Sequence, residues 1–222
     1  PRDSLSAGFG KPCYTLKIGV AYAYNRSLES MGNFHVQTLL PFHSNIEMIA
    51  GIGLSTANIY SGRIVIRPKV DFRVGELYWD AILDYRSIVR DNQWNCAMAL
   101  AMGYRMDYLN LQIGWCGRVM NFYPTYDATL SACEWEKFNL LYRLEIYCRP
   151  QRCRWNLMFC ATDYDDFVIE RMAQPLFLMN GRYDIDNHWR VEAEAEMKPT
   201  GMMHMNATFY GATFKVGFSY QF

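Results

Sequence analysis

Between Tyr14 and Tyr24 apolar and small or polar residues alternate without a break. Tyr14, Leu16, Ile18, Val20, Tyr22 and Tyr24 fall on one face, and Thr15, Lys17, Gly19, Ala21 and Ala23 on the other. A period of two predicts a strand, and its length suits the roughly 9 to 11 residues of a tilted strand crossing a bilayer. The alternation returns along the whole chain. Phe34, Val36, Leu40 and Phe42 face His35 and Gln37, and Ile46, Met48, Ala50, Ile52 and Leu54 face Glu47, Gly51 and Gly53. Ile64, Ile66, Val70 and Phe72 oppose Arg63, Arg67, Lys69, Asp71 and Arg73, and Leu77, Trp79, Ala81, Leu83 and Tyr85 oppose Asp80, Asp84 and Arg86. Similar segments centre on Leu100, Ile113, Tyr142, Phe159, Met179, Ala193 and Val216, which brings the expected strand count to twelve.

The connections alternate as well. Short ones are expected at His43–Asn45, Gly75–Glu76, Met106–Asp107, Pro150–Gln151 and Ile185–Asn187, as tight hairpin turns. Longer ones run from Arg26 to Gly32, Ser55 to Gly62, Ser87 to Gln93, Met120 to Glu134, Asp163 to Ala173 and Pro199 to Tyr210. Hairpins centred on the turns pair Val74 with Leu77 and Phe72 with Trp79, and likewise Tyr104 with Leu109 and Met98 with Trp115, so apolar faces meet. The reading is all-β: a transmembrane antiparallel up-and-down β-barrel over residues 13–222, preceded by a short segment, 1–12. A soluble lipocalin-like barrel or a β-sandwich would use the same alternation with the apolar face turned inward. Gly, Ala, Ser and Thr crowd the polar face as a narrow interior requires, and Tyr, Trp and Phe gather at strand ends as interfacial girdles do, which favours the membrane barrel.

Composition removes other classes. No apolar run approaches the roughly 18 residues of a spanning helix. Lys plus Arg and Asp plus Glu are both 22 and no basic stripe interleaves with aromatics, so a nucleic-acid partner is not expected. Seven Cys, an odd number, match no zinc module and no disulfide framework. The opening PRDSLSAGFGKP is polar and short, so an exported chain is expected to have lost its signal peptide already.

The chain ends KVGFSYQF. Polar Lys215, then Gly217, aromatic Tyr220 and terminal aromatic Phe222 resemble, position for position, the β-signal of Gram-negative outer-membrane β-barrel proteins. The resemblance implies a bacterial outer-membrane location, with the bilayer and lipopolysaccharide around the barrel. It also implies periplasmic short turns, extracellular long loops, a periplasmic 1–12 segment, and a barrel assembly machinery that reads the last strand by β-strand addition. The several Cys depart from the cysteine-poor pattern of such exported barrels.

A twelve-stranded barrel encloses a backbone diameter of roughly 24 Å. Its expected lumen lining is uneven. Arg63, Arg67, Lys69 and Arg73 lie on the fourth strand, Asp80 and Asp84 on the fifth, Arg182 on the tenth, Arg190 and the ladder Glu192, Glu194 and Glu196 on the eleventh, and Lys215 on the last. The fourth and eleventh strands stand nearly opposite, which would set a transverse field. Alternatively, Arg182, Arg190 and Lys215 neutralise the Glu ladder and stiffen the barrel. The expected function is a narrow porin-like channel for small polar or charged solutes. The alternative is a non-conducting barrel that anchors, or forms a subunit of, a larger outer-membrane assembly with a protein partner. A rim hydrolase using Asp165 and His204 is a third reading, in which a carboxylate and an imidazole activate water. No cofactor or metal is expected. MMHM, Met202–Met205, carries soft ligands suited to Cu(I), and DYDD, Asp163–Asp166, carries paired acids, but both read more simply as loops. Cys148 and Cys153 flank a turn as expected cross-strand partners on the lipid face, where they serve as small apolar residues or, oxidised, as a staple.

Overall fold

The computed structural model describes residues 14–25, 31–43, 45–56, 59–88, 93–122, 132–150, 153–163, 176–200 and 208–222. The segment 1–12 and the MMHM loop with His204 lie outside them, as does all of DYDD except Asp163.

Twelve strands follow in chain order: β1 Thr15–Asn25, β2 Met31–His43, β3 Ile46–Ser55, β4 Ile59–Asp71, β5 Glu76–Ile88, β6 Gln93–Arg105, β7 Leu109–Phe122, β8 Ala132–Tyr147, β9 Trp155–Thr162, β10 Leu176–Asp184, β11 Trp189–Thr200 and β12 Thr208–Gln221. Each pairs antiparallel with its chain neighbours, and β12 returns to β1 over Thr15↔Gln221 through Asn25↔Gly211, closing the barrel. The two chain ends meet there: the Phe222 amide donates to the Tyr14 carbonyl at 2.9 Å. Closure leaves no sheet edge, which is how a β-protein satisfies every backbone group in hydrocarbon.

The register fixes the tilt. A walk perpendicular to the strands runs from Tyr147 through Met158, Asn180, Glu194, Lys215, Ala21, Asn33 and Ser55, then, with the β3–β4 and β6–β7 registers extended past Leu54↔Tyr60 and Asn95↔Met120, by way of Ile59, Ile88, Gln93 and Phe122 back to β8 at Ala132. The offset between start and finish is the stagger of the barrel, and it corresponds to strands tilted about 40° from the axis.

Three register shifts, at Pro41/His43, Cys116/Arg118 and Lys198/Pro199, absorb extra residues. Two coincide with a proline, which cannot donate to a ladder. Pro68 interrupts the β4–β5 ladder without shifting it: the register runs to Ile66↔Ala81 and resumes in phase at Lys69↔Tyr78.

Apolar side chains point out of the barrel. Leu100 and Trp115, paired across β6 and β7, are 66% and 65% exposed, whereas inward Ala99 and Ala101 are 7% and 5% exposed. This inside-out pattern suits hydrocarbon outside and a packed polar interior.

The turns differ from expectation in detail. The β4–β5 turn occupies Phe72–Gly75, and the Phe72 amide donates to the Gly75 carbonyl at 2.7 Å. Val70, not Val74, therefore pairs with Leu77. Across β6–β7 the register is Tyr104↔Leu111 and Leu100↔Trp115. Both corrections move the pairing by an even number of residues, so each side chain keeps its face. Cys148 pairs with Leu157, to whose carbonyl its amide donates at 2.8 Å, so Cys148 and Cys153 are not cross-strand partners. Both are free thiols, Cys148 exposed and Cys153 half-buried.

Candidate functional site

The inward residues of β3 to β8 build a continuous polar wall, because period-two strands put Glu47, Arg63, Arg67, Lys69, Glu76, Asp80 and Asp84 on one face in neighbouring registers. Arg67 grips Asp80 with both Nε and Nη2, at 2.6 and 2.9 Å, and the Gln112 amide donates to the same carboxylate at 2.7 Å. This two-pronged geometry is the strong form of a charge-assisted hydrogen bond. Arg63 and Arg86 both donate to Asp84 Oδ2 at 2.8 Å. Lys69 bridges Glu47 at 2.5 Å and Glu76 at 3.7 Å.

Tyr78 sits at the centre of this wall with only 1% of its surface exposed. Its hydroxyl donates to Asn110 Oδ1 at 2.8 Å, and Asn110 in turn donates to Glu145 at 2.9 Å. The guanidinium carbons of Arg67 and Arg105 lie 4.7 and 5.1 Å from its ring centre. Opposite it on β6 is Gly103, where a Cβ would stand 2.2 Å from Tyr78 Cζ, so the missing side chain lets the ring lie against the wall. His35 uses Gly19 in the same way: a Cβ there would meet Nε2 at 2.4 Å. Large inward rings thus fold onto glycines instead of crossing the lumen. The wall encloses a cavity of about 210 Å³, reached by Arg63, Arg105, Arg143 and Tyr78 among others.

A second polar wall spans β11, β12 and β1. Glu192 is bonded to Lys17, Glu194 to Lys215 at 2.9 Å, and Glu196 to Lys215 at 3.2 Å and Lys198 at 3.0 Å. Arg182 and Arg190 pair with Asp184, at 3.8 and 2.5 Å, and both also act on the charge of Glu192, which stands across from Arg182. All three cations expected to neutralise the Glu ladder contribute, Lys215 by direct bonds and Arg182 and Arg190 through their proximity to Glu192, joined by Lys17 and Lys198. The basic β4 wall and the acidic β11 wall are therefore each balanced by adjacent strands, and the expected field between opposite walls is cancelled locally. A charge a few ångströms away outweighs one across a water-filled lumen.

Arg73 is not a lumen residue. It lies exposed in the β4–β5 turn beside Phe72 and Val74, because β4 ends at Asp71 and the two-residue alternation stops there. In the terminal octet, Lys215 faces inward, 7% exposed, and Tyr220 and Phe222 pack ring edge to face at 4.8 Å, with Trp189 also 4.8 Å from Tyr220.

Part of the lining is apolar, on β9 and β10 between the two polar walls and also within the β3–β8 wall itself. Met158, Cys160, Leu176 and Leu178 form one buried cluster beside Tyr147, and Val65, Ile82, Ala99, Ala101 and Leu141 form another. Sequence reasoning missed these, and Tyr78 with them, because the inward face was read for its polar members. Parity alone places Tyr78 inward, between Glu76 and Asp80. Asp163, the described part of DYDD, accepts a hydrogen bond from the Tyr142 amide at 2.9 Å and ties the end of β9 to β8. Among the described residues no group of three His, Cys, Asp or Glu is placed to hold a metal.

The fold is that of outer-membrane β-barrels. The chain is similar to a KdgM porin solved in complex with disordered oligogalacturonate, at 10% identity and a TM-score of 0.57 over 93% of this chain and 99% of the porin. It is also similar to the Acinetobacter baumannii outer membrane protein Omp33, at 10% identity and 0.53 over 96% and 100% of the two chains. The translocator domain of the autotransporter NalP from Neisseria meningitidis matches at 14% identity and 0.55 over 96% and 89%. At such identities the likeness is one of fold. No protein-family model and no curated protein matches the sequence.

Proposed function

We propose that this protein is a non-enzymatic, porin-like channel of a Gram-negative outer membrane that passes small polar or charged solutes. The observation that carries the reading is the lumen: a closed barrel with an apolar outer face, whose interior holds a cavity of about 210 Å³ lined by charged side chains such as Arg63, Arg105 and Glu145 together with apolar ones such as Val65 and Ile82. Lys17, Arg105 and Arg190 keep 29%, 28% and 34% of their side-chain surface accessible despite their ion pairs, so mobile charge remains along the path. The porin name of one fold relative, KdgM, agrees with this reading. Lipid and lipopolysaccharide surround the barrel, the short turns face the periplasm, and the assembly machinery reads Lys215, Gly217, Tyr220 and Phe222 on the final strand.

A second reading, a non-conducting barrel that anchors or joins a larger assembly, is favoured by a specific feature. Thr162 and Leu176, inward residues at adjoining ends of β9 and β10, are 0% and 1% exposed, so that part of the lumen is filled. Planar-bilayer recording of the purified protein separates the two. Discrete conductance steps together with liposome swelling in small solutes support the channel, and a silent barrel in both assays overturns it.

A further inference from the structure

At the short-turn end of the barrel the register sets four positions side by side: Arg154, just ahead of β9, then Asp184 on β10, Arg190 on β11 and Ser219 on β12. Together with Thr15, Gln221 and the β10–β11 turn they line a second polar cavity, of about 260 Å³. Its formally charged residues are two arginines, Arg154 and Arg190, and two aspartates, Asp184 and Asp186, so the lining is neutral overall while His188 is uncharged. All but one of these charges are engaged. Arg190 holds Asp184 at 2.5 Å and stands near Glu192, and Asp184 has Arg182 at 3.8 Å besides. One carboxylate oxygen of Asp186 accepts the His188 and Trp189 amides, each at 2.7 Å. Arg154 is the exception. Its backbone is fixed, since its carbonyl accepts the Asp184 amide at 2.6 Å, but its exposed guanidinium makes no ion pair or hydrogen bond with any described residue. Elsewhere in the lumen Lys17, Lys69, Arg105 and Lys215 each meet a carboxylate. Ser219 gives a second, independent sign: 5% exposed, it lines the cavity with a hydroxyl that no described residue engages.

We infer that this cavity is a binding subsite for small monocarboxylate solutes, held by Arg154. A carboxylate fits the guanidinium fork through two parallel, charge-assisted hydrogen bonds, and the hydroxyls of Ser219 and Thr15 are donors in the same cavity for its remaining lone pairs. An uncharged analogue leaves the guanidinium unmatched. A dicarboxylate brings a second negative charge to a lining whose other arginine, Arg190, is already engaged by Asp184 and Glu192, so that charge meets Asp184 and Asp186 without compensation. The volume suits a solute of a few carbon atoms and is below the range of drug-sized pockets. The inference deepens the channel reading by naming a solute class and rests on it for a place on a transport path, but binding is separable from conduction.

The test is saturation-transfer NMR on the detergent-solubilised full chain at low ionic strength and about pH 8, where an ordinary histidine is neutral. Propionate, propanol and succinate are each read as an apparent Kd. Propionate is expected to bind at least about fivefold more tightly than either of the others. Arg154→Gln is expected to weaken propionate by at least about the same factor. Arg73→Gln, which removes an exposed arginine from the β4–β5 turn at the same end of the barrel but outside the lumen, is expected to leave it unchanged. No propionate binding, binding no tighter than that of propanol or succinate, equal losses in the two variants, or an Arg154→Gln barrel that binds propionate unchanged would each overturn the inference. The solute ranking on the unaltered protein decides the matter even if a variant does not fold. Propionate binding by a barrel that is silent in planar bilayers rejects the channel and keeps the subsite, whereas conductance without propionate binding does the reverse.

Discussion

The pair Arg67 and Asp80 offers the sharpest energetic test of the polar wall. Asp80 has 1% of its side chain exposed and accepts three hydrogen bonds, two from Arg67 and one from Gln112. Arg67→Met takes away both guanidinium bonds and leaves that carboxylate the Gln112 amide in a site water barely reaches. Losing one member of a buried pair typically costs about 3–5 kcal/mol, and the depth of Asp80 puts this variant at about 4 kcal/mol. Asp80→Leu strands Arg67 instead, which is 15% exposed and still lies over the Tyr78 ring, so its loss is smaller, about 2–3 kcal/mol. In the double variant neither charge is stranded, and a well-packed apolar replacement of an ion pair is often neutral. It is therefore expected to be more stable than either single variant. The assay is urea unfolding of the folded barrel in lipid vesicles, followed by tryptophan fluorescence, with the four proteins closing a double-mutant cycle. Strict additivity of the two single losses would refute the pairing.

Three further outcomes follow from the same geometry. Gly103→Ala puts a methyl group where Tyr78 Cζ lies 2.2 Å away, so the ring must leave its place between Arg67 and Arg105; a loss of about 1–3 kcal/mol is expected, relieved by adding Tyr78→Ala, and an unchanged unfolding midpoint would count against the contact. Leu100→Arg, on the outer face, is expected to cost about 2–4 kcal/mol in vesicles while the inward Ala101→Ser costs little, and the reverse ranking would invert the barrel's faces. In the β10–β11 turn, Asp186 accepts hydrogen bonds from the Trp189 and His188 amides, which hold its carboxyl below the usual value, so the turn gains stability above about pH 3.9 and loses it as pH falls through the lowered value. Amide exchange at Trp189 should be flat from neutral pH down to that point and accelerate below it, relative to intrinsic rates; acceleration well above that point would count against control by Asp186.

Strand parity was legible because it depends on the side chain alone. Tyr14 to Tyr24 can satisfy a two-faced environment in only one phase, and the same holds for Ile64 to Val70 and Phe214 to Phe222. Partners were not legible, because they depend on register, which turns and stagger set together. Glu192 reads as a ladder member from its own strand, but its pairing with Lys17 requires β1, β12 and β11 side by side at the right offset. Arg73 kept the alternation of its neighbours while the backbone had already entered the turn, and no local residue type marks that end. The inward apolar residues, Leu176 and Leu178 among them, look like any outward leucine in composition. Tyr78 was hidden for a similar reason: among 16 tyrosines, most of those described on strands face outward, and only its parity sets it apart.

The central claim is that bulky apolar side chains face hydrocarbon and the charged face encloses the lumen. It is tested most directly by spin labels placed one at a time from Ala97 to Gly103 along β6, in a cysteine-free background reconstituted in bilayers, and read for oxygen against nickel-complex accessibility. Labels at Met98, Leu100 and Met102 are expected to favour oxygen, and those at Ala97, Ala99 and Ala101 the nickel complex, with a period of two. An inverted phase, or no period at all, would contradict the account.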